Sequence, residues 1–212
     1  MDKLTEKIIS NVSADIFTDR DLMNLIGESA DSRYGLVKRA CAKHGIIRVK
    51  RGLYCLDPRY RRRPVNLYQV AQSIYGPSYV SMESALSYHG WVPEAVRSLS
   101  SACVKKSKDF LTPLGMFSFK RIPNTVFYSG VDRVVQDKGD AFLMAGPLKA
   151  LADYVYVHKL DWKGLAPVVN SLRIEPESLQ SVSKDEFDSL SEGYRSKRVR
   201  RFIKGLKKDL KP

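Results

Sequence analysis

The 212-residue chain predicts an α+β fold, because helical and alternating apolar patterns succeed each other along it. Apolar residues recur at helical spacing from Leu4 to Val12. Alternation typical of strands occupies 96–104 and 117–122, and a helical pattern returns over roughly 184–210. The sequence therefore predicts a helical start, a mixed middle part and a helical C-terminal tail.

Two helices are predicted in the first 27 residues. The first spans 3–12, where the apolar positions lie on one face. Thr18 is placed to cap the second helix, with Asp21 three residues later as the acid of a capping box. Gly27 is expected to end that helix.

A third helix and a hairpin are predicted next. The helix has its N-cap between Ser29 and Asp31, and Gly45 is expected to adopt the left-handed conformation that ends it. The apolar face of this helix is predicted to consist of Val37, Ala40, Cys41 and His44. A β-hairpin follows, with its turn at 50–52. Three helices and a hairpin predict a winged helix-turn-helix domain over 1–63, which ends in a basic linker, and a second α+β domain over 64–212.

The net charge of +13 is concentrated in two segments. Residues 33–63 contain eleven lysines and arginines against one aspartate, and residues 193–212 contain nine against one. Residues 64–192 are close to neutral, with 13 basic and 14 acidic side chains. Basic clusters of this kind are typical of proteins with a polyanionic partner.

The first basic cluster predicts contacts with duplex DNA. The predicted contact residues are Ser32, Arg33, Lys38, Arg39, Lys43, Arg48, Lys50 and Arg51. Arg33 is expected near the start of the groove helix, where it would contact a guanine. The lysines of the helix would pair with phosphates, and the hairpin turn would meet phosphates or the minor groove. The alternative is a surface that binds structured RNA or another protein.

Three motifs occur in a fixed order along the chain. They are Arg51-Gly52-Leu53-Tyr54, then 79–90 with the sequence YVSMESALSYHG, and then 145–153 with the sequence AGPLKALAD. Over roughly 1–160 the chain resembles the antitoxins of bacterial AbiE-type, type IV toxin–antitoxin systems. The resemblance implies that the winged helix binds inverted repeats in its own promoter. It also implies that the second domain counters a nucleotidyltransferase-like toxin, as part of an abortive-infection defence against phage.

The C-terminal tail is predicted to be a docked amphipathic helix. Val199, Phe202, Ile203 and Leu206 recur at the spacing of one helical face. The opposite face offers Arg195, Arg198, Arg201 and Lys204 as a second contact to nucleic acid or to the toxin. Besides contact with nucleic acid and contact with the toxin, the third alternative is that these cations are only solvated.

The sequence predicts no catalytic residue, metal ligand or cofactor. The three cysteines are far apart and are expected to be buried, and the histidines are expected to be structural. Glu83 and Asp153, together with Lys149, provide the weak alternative of a metal-dependent nuclease. Lys149 and Asp153 are otherwise expected to form an ordinary i, i+4 ion pair. The N-terminus lacks a signal-peptide pattern and no apolar run is long enough to cross a membrane, so a cytoplasmic location is expected.

These features together predict a DNA-binding transcriptional autorepressor that also serves as an antitoxin. The alternatives are a stand-alone winged-helix regulator and the nuclease.

Overall fold

The computed structural model describes residues 1–27, 29–93, 98–136 and 140–211. The fold is α+β, as the sequence predicts. The chain divides into two compact units, the first formed by Met1–Ile74 with Leu111–Gly115, and the second by Tyr75–Phe110 with Met116–Pro212. Residues 96 and 97, at the start of one predicted strand, lie outside the described residues.

The first unit combines helices with a small antiparallel sheet. Its elements are α1 (Lys3–Asn11), β1 (Ile16–Thr18), α2 (Asp19–Ile26), α3 (Ala30–Ala42), β2 (Ile46–Lys50), β3 (Leu53–Leu56) and α4 (Leu67–Ile74). The strand order is β1-β3-β2, with Phe17 opposite Tyr54. The core of the unit is formed by Leu4, Ile8, Phe17, Leu22, Val37, Ala40, Ile46, Tyr54 and Leu56. The sequence predicts this last helix, α4, in the second domain. In the structure α4 groups with the first unit.

Side-chain caps fix where the first helices begin. Asp2 caps α1, because its Oδ1 accepts hydrogen bonds from the backbone N–H groups of Leu4 and Thr5, each at 3.1 Å. The predicted capping box of Thr18 and Asp21 is present at the start of α2. Gly27 ends α2 in the left-handed conformation, as predicted.

The end of α3 differs from the prediction. The left-handed residue is His44, with φ 53°, and its side chain is exposed rather than part of the apolar face. Gly45 is required for a different reason. A β-carbon built on it would lie 2.0 Å from Oγ1 of Thr5 and 3.1 Å from Cβ of Thr5. The glycine therefore allows the start of the hairpin to pass close to α1.

The predicted basic linker is part of the folded unit. The guanidinium of Arg62 donates to the carbonyl oxygens of Ile9, Val12 and Ser13 at 2.6–3.1 Å. Arg59 donates to the carbonyl of His44 at 2.7 Å. These carbonyls lie at the C-terminal ends of α1 and α3, where helices leave acceptors without intrahelical partners. Two arginines of the basic linker therefore cap helices of the first unit.

The second unit contains most of a mixed six-stranded sheet, of which only residues 111, 112 and 115 group with the first unit. Its strands and first helices are β4 (Ser78–Val80), α5 (Met82–Tyr88), β5 (Ser98–Cys103), β6 (Lys108–Thr112), β7 (Gly115–Arg121), β8 (Val131–Val135), β9 (Ala141–Ala145) and α6 (Pro147–Val157). The strand order is β6-β7-β5-β4-β9-β8, with β4 parallel to β9 and β5 parallel to β7. Pro147 opens α6 at the predicted position. The edge strands β6 and β8 were not expected from the sequence.

The C-terminal part is helical, as predicted, but residues 184–210, predicted as one helical tail, form two helices. The elements are α7 (Ala166–Leu172), α8 (Pro176–Leu179), α9 (Lys184–Gly193) and α10 (Lys197–Leu210). The apolar stripe of α10 is fully buried, and this helix packs on α9 and α6. The prediction of a docked amphipathic helix is confirmed.

Candidate nucleic-acid interface

One face of α3 is exposed and carries most of the predicted helix contacts. Lys38, Arg39 and Lys43 are exposed, as is Ser32. The other face, centred on Val37 and Ala40, is buried in the core. The predicted division of this helix into an apolar and a basic face is therefore present.

Arg33 does not lie on that exposed face. It precedes Val37 by four residues, which places it on the side of α3 that faces the core, and it is half-buried. The predicted grouping of Arg33 with the exposed cations is wrong, because residues four apart lie on the same side of a helix and Val37 is buried. Arg39 is the arginine at the exposed surface of α3.

The hairpin turn presents one outward cation rather than two. Arg51 is exposed, and Gly52 supplies the turn with φ 77°. Lys50 is half-buried, and its Nζ donates to the carbonyl oxygen of Ile74, the last residue of α4. Ammonium groups bind favourably at helix C-termini, so this contact gives Lys50 a role within the unit. Arg48, on β2, is exposed.

The second unit contains a buried polar cluster, formed by Tyr79, Ser81, Lys149, Asp153 and Tyr194. Nζ of Lys149 lies 3.0 Å from Oδ1 of Asp153, and both side chains are fully buried. Oδ2 of Asp153 accepts from the hydroxyls of Tyr79 and Ser81 at 2.8 and 2.7 Å. The hydroxyl of Tyr194 donates to Oδ1. Lys149 and Asp153 do form the predicted pair, but it is part of the core and not an ordinary surface pair.

Burial changes the acidity of this cluster. It lowers the pKa of the Lys149 ammonium, and the neighbouring Asp153 carboxylate opposes that change. Burial, followed by the charge of Asp153, raises the pKa of Tyr79 and Tyr194 well above 10. The tyrosines therefore remain neutral donors to the carboxylate at physiological pH.

The residues of the nuclease alternative are held by other contacts. Both oxygens of Asp153 accept two hydrogen bonds each, which uses the acceptor capacity of a carboxylate. Glu83 accepts from Oγ of Ser100 at 3.1 Å and lies 3.4 Å from Nε2 of His158. In the part of the chain that the structure describes, no three side chains of His, Cys, Asp or Glu form a group that could hold a metal ion.

The second and third motifs meet inside the second unit. Tyr79 and Ser81 of the second motif hydrogen-bond to Asp153 of the third. His89 of the second motif lies with Nε2 2.9 Å from the carbonyl oxygen of Ala145, the first residue of the third. These motif residues therefore hold the fold together.

The predicted tail contacts divide into two groups. Arg198 donates to the carbonyl of Tyr156 at 3.5 Å, and Arg201 pairs with Asp161. Arg195 and Lys204 are exposed. Lys204 also lines a groove between α9 and α10, whose lining is Phe187, Asp188, Ser191, Ile203, Lys204, Lys207, Lys208 and Lys211. Within this groove Lys207 pairs with Asp188 at 2.5 Å.

No family model matches this chain, and no curated protein is significantly similar to it in sequence. None of the described helices has the length and apolar character needed to cross a membrane.

Proposed function

We propose that this protein binds duplex DNA through the exposed face of α3 and the β2–β3 turn. The observation that carries the proposal is the concentration of exposed basic residues on one helix face and the hairpin that follows it. These residues are Lys38, Arg39, Lys43, Arg48 and Arg51. The order of the elements also supports a winged helix-turn-helix, because α1, α2 and α3 are followed by a hairpin within a three-stranded sheet.

The physical chemistry of α3 fits such a partner. An α-helix fits the major groove, where an arginine can form two hydrogen bonds with guanine. Arg39 is the arginine that we assign to this contact. Lys38 and Lys43 are compact point charges suited to phosphates, which fix the position of the protein on DNA.

We further propose that the protein represses its own promoter and counters a nucleotidyltransferase-like toxin in the cytoplasm. This part rests on the three motifs that resemble those of AbiE-type antitoxins. The alternative is a transcriptional regulator without a toxin. Co-expression with the product of an adjacent toxin gene distinguishes the two, because only an antitoxin restores growth.

Reversing the charge of two α3 residues tests the DNA-binding proposal. Arg39→Glu with Lys43→Glu is expected to weaken binding to DNA from the region upstream of the gene roughly 100-fold, because it removes one base contact of about 1–3 kcal/mol and one phosphate contact and places two negative charges beside the DNA. Fluorescence anisotropy at fixed salt measures this. Lys7→Glu, on the exposed side of α1, is the matched control and should retain affinity. If the double variant binds as the control does, α3 is not the interface.

The hairpin gives a second test, in which adjacent residues behave differently. Arg51→Ala should reduce the slope of log affinity against log salt concentration by about 0.9, the value for one phosphate contact. Lys50→Ala should leave the slope unchanged, since its ammonium is bound to the carbonyl of Ile74. The slopes are obtained from titrations between about 50 and 200 mM salt. Equal reductions for both variants would contradict the assignment of Lys50 to the fold.

A further inference from the structure

Gly35 lies on the basic face of α3, where it is half-buried, although glycine weakens helices. It lies in the interior of the helix, as the sixth of its 13 residues. Glycine in a helix interior is less favourable than alanine, because it loses more backbone freedom on folding. A glycine at such a position requires a reason that outweighs this cost.

The described part of the fold supplies no such reason. Gly35 has helical backbone and is not among the residues with positive φ. Among the described atoms, a β-carbon built on it would approach only Nη1 of Arg39, at 3.9 Å, which is an ordinary contact distance. Gly45 is the contrasting case, where a β-carbon would overlap Thr5. An alanine at position 35 would therefore fit this structure.

The surroundings of Gly35 indicate what the reason is. Successive residues turn by about 100° around a helix, so Lys38 lies on one side of Gly35 and Arg39 and Lys43 lie on the other. At Gly35 the helix surface therefore carries no side chain, and exposed cations lie on both sides of it. A groove lined by phosphates on both walls has the complementary shape and charge.

We infer that Gly35 lets the backbone of α3 approach the floor of the major groove, so that Arg39 reaches a base while Lys38 and Lys43 reach the two phosphate rows. This inference rests on the proposed function and specifies its partner as B-form duplex DNA. The major groove of A-form RNA is deep and narrow, so α3 would not enter it. Gly35 is thus a positioning residue, because it sets how deeply α3 enters the groove.

The test uses the opposite effects of Gly35→Ala on stability and binding. The variant should raise the midpoint of thermal unfolding by about 2–4 °C, because alanine favours the helix. It should weaken binding to upstream duplex DNA at least about fivefold, a loss comparable to that of one base contact. Gly35→Leu should bind more weakly still. Ser10→Ala, at an exposed position of α1, is the control for helix stabilisation and should leave affinity unchanged.

Each outcome is decisive. Unchanged or tighter DNA binding by Gly35→Ala would overturn the inference, and so would a lower unfolding midpoint, which would show that the fold needs the glycine. Equal affinity of the wild type for duplex RNA of the same sequence would overturn the assignment to a B-form groove. Failure of the wild type to bind any duplex DNA would instead reject the proposed function.

Discussion

Replacing Lys149 with methionine is expected to lower the free energy of unfolding by about 3–5 kcal/mol. The reason is that the variant keeps the Asp153 carboxylate fully buried and removes the only ammonium paired with it among the described contacts. Hydrogen bonds from Tyr79, Ser81 and Tyr194 remain, but they do not neutralise the charge. A buried carboxylate without a cation is far costlier than the pair.

Urea denaturation monitored by circular dichroism measures this loss. Lys184→Met, at the exposed first residue of α9, is the matched control and should change stability by no more than about 0.5 kcal/mol. Adding Asp153→Asn to Lys149→Met should recover part of the loss, because the uncompensated charge disappears. Equal stability of Lys149→Met and the control would mean that the pair is solvated.

The buried cluster also explains what the resembling motifs do in this chain. Tyr79, Ser81 and Asp153 belong to the second and third motifs and contact each other in the core. The residues of α3 assigned to DNA, such as Lys38 and Arg39, lie outside all three motifs, whereas Arg51 of the hairpin turn belongs to the first. The second and third motifs therefore contribute contacts within the second unit, and the proposed DNA contacts lie on α3 and the hairpin.

Local signals in the sequence predicted the features that depend on neighbouring residues. The capping box of Thr18 and Asp21 needs only a spacing of three residues, and Gly27 needs only the helix before it. Pro147 at the start of α6 is a signal of the same kind. The stripe from Val199 to Leu206 was found because the helical period is visible within two turns.

Features that depend on distant residues were not predictable in this way. Arg62 donates to the carbonyl of Val12, 50 residues earlier in the chain, so its sequence neighbours resemble a solvated linker. The burial of Lys149 depends on Tyr194, 45 residues away. Arg33 was predicted on the basic face of α3, but it lies one turn before the buried Val37 and is half-buried. The short strand β1 is defined by its pairing with β3.

The last expected result concerns the packing of α10. Phe202→Ala should lower the free energy of unfolding by about 3–5 kcal/mol, because the ring is fully buried and its removal leaves a cavity. The ring lies 6.2 Å from Trp162, centroid to centroid, so tryptophan fluorescence provides a local signal during denaturation. A helix that was only a charged appendage would tolerate this change.

Lys204 supplies the matched control on the same helix, two residues after Phe202 but exposed. Lys204→Ala should change stability by less than about 0.5 kcal/mol. Lys204→Glu with Lys208→Glu should likewise retain folding, and it reverses two cations that line the groove between α9 and α10. The DNA affinity of this double variant, the salt dependence of that affinity and its ability to rescue growth then show what those cations contact. Deletion of the helix would not show this, because it would also remove core packing. If Phe202→Ala proved as stable as Lys204→Ala, α10 would not be part of the core, and the assignment of its cations to an outer face would fail with it.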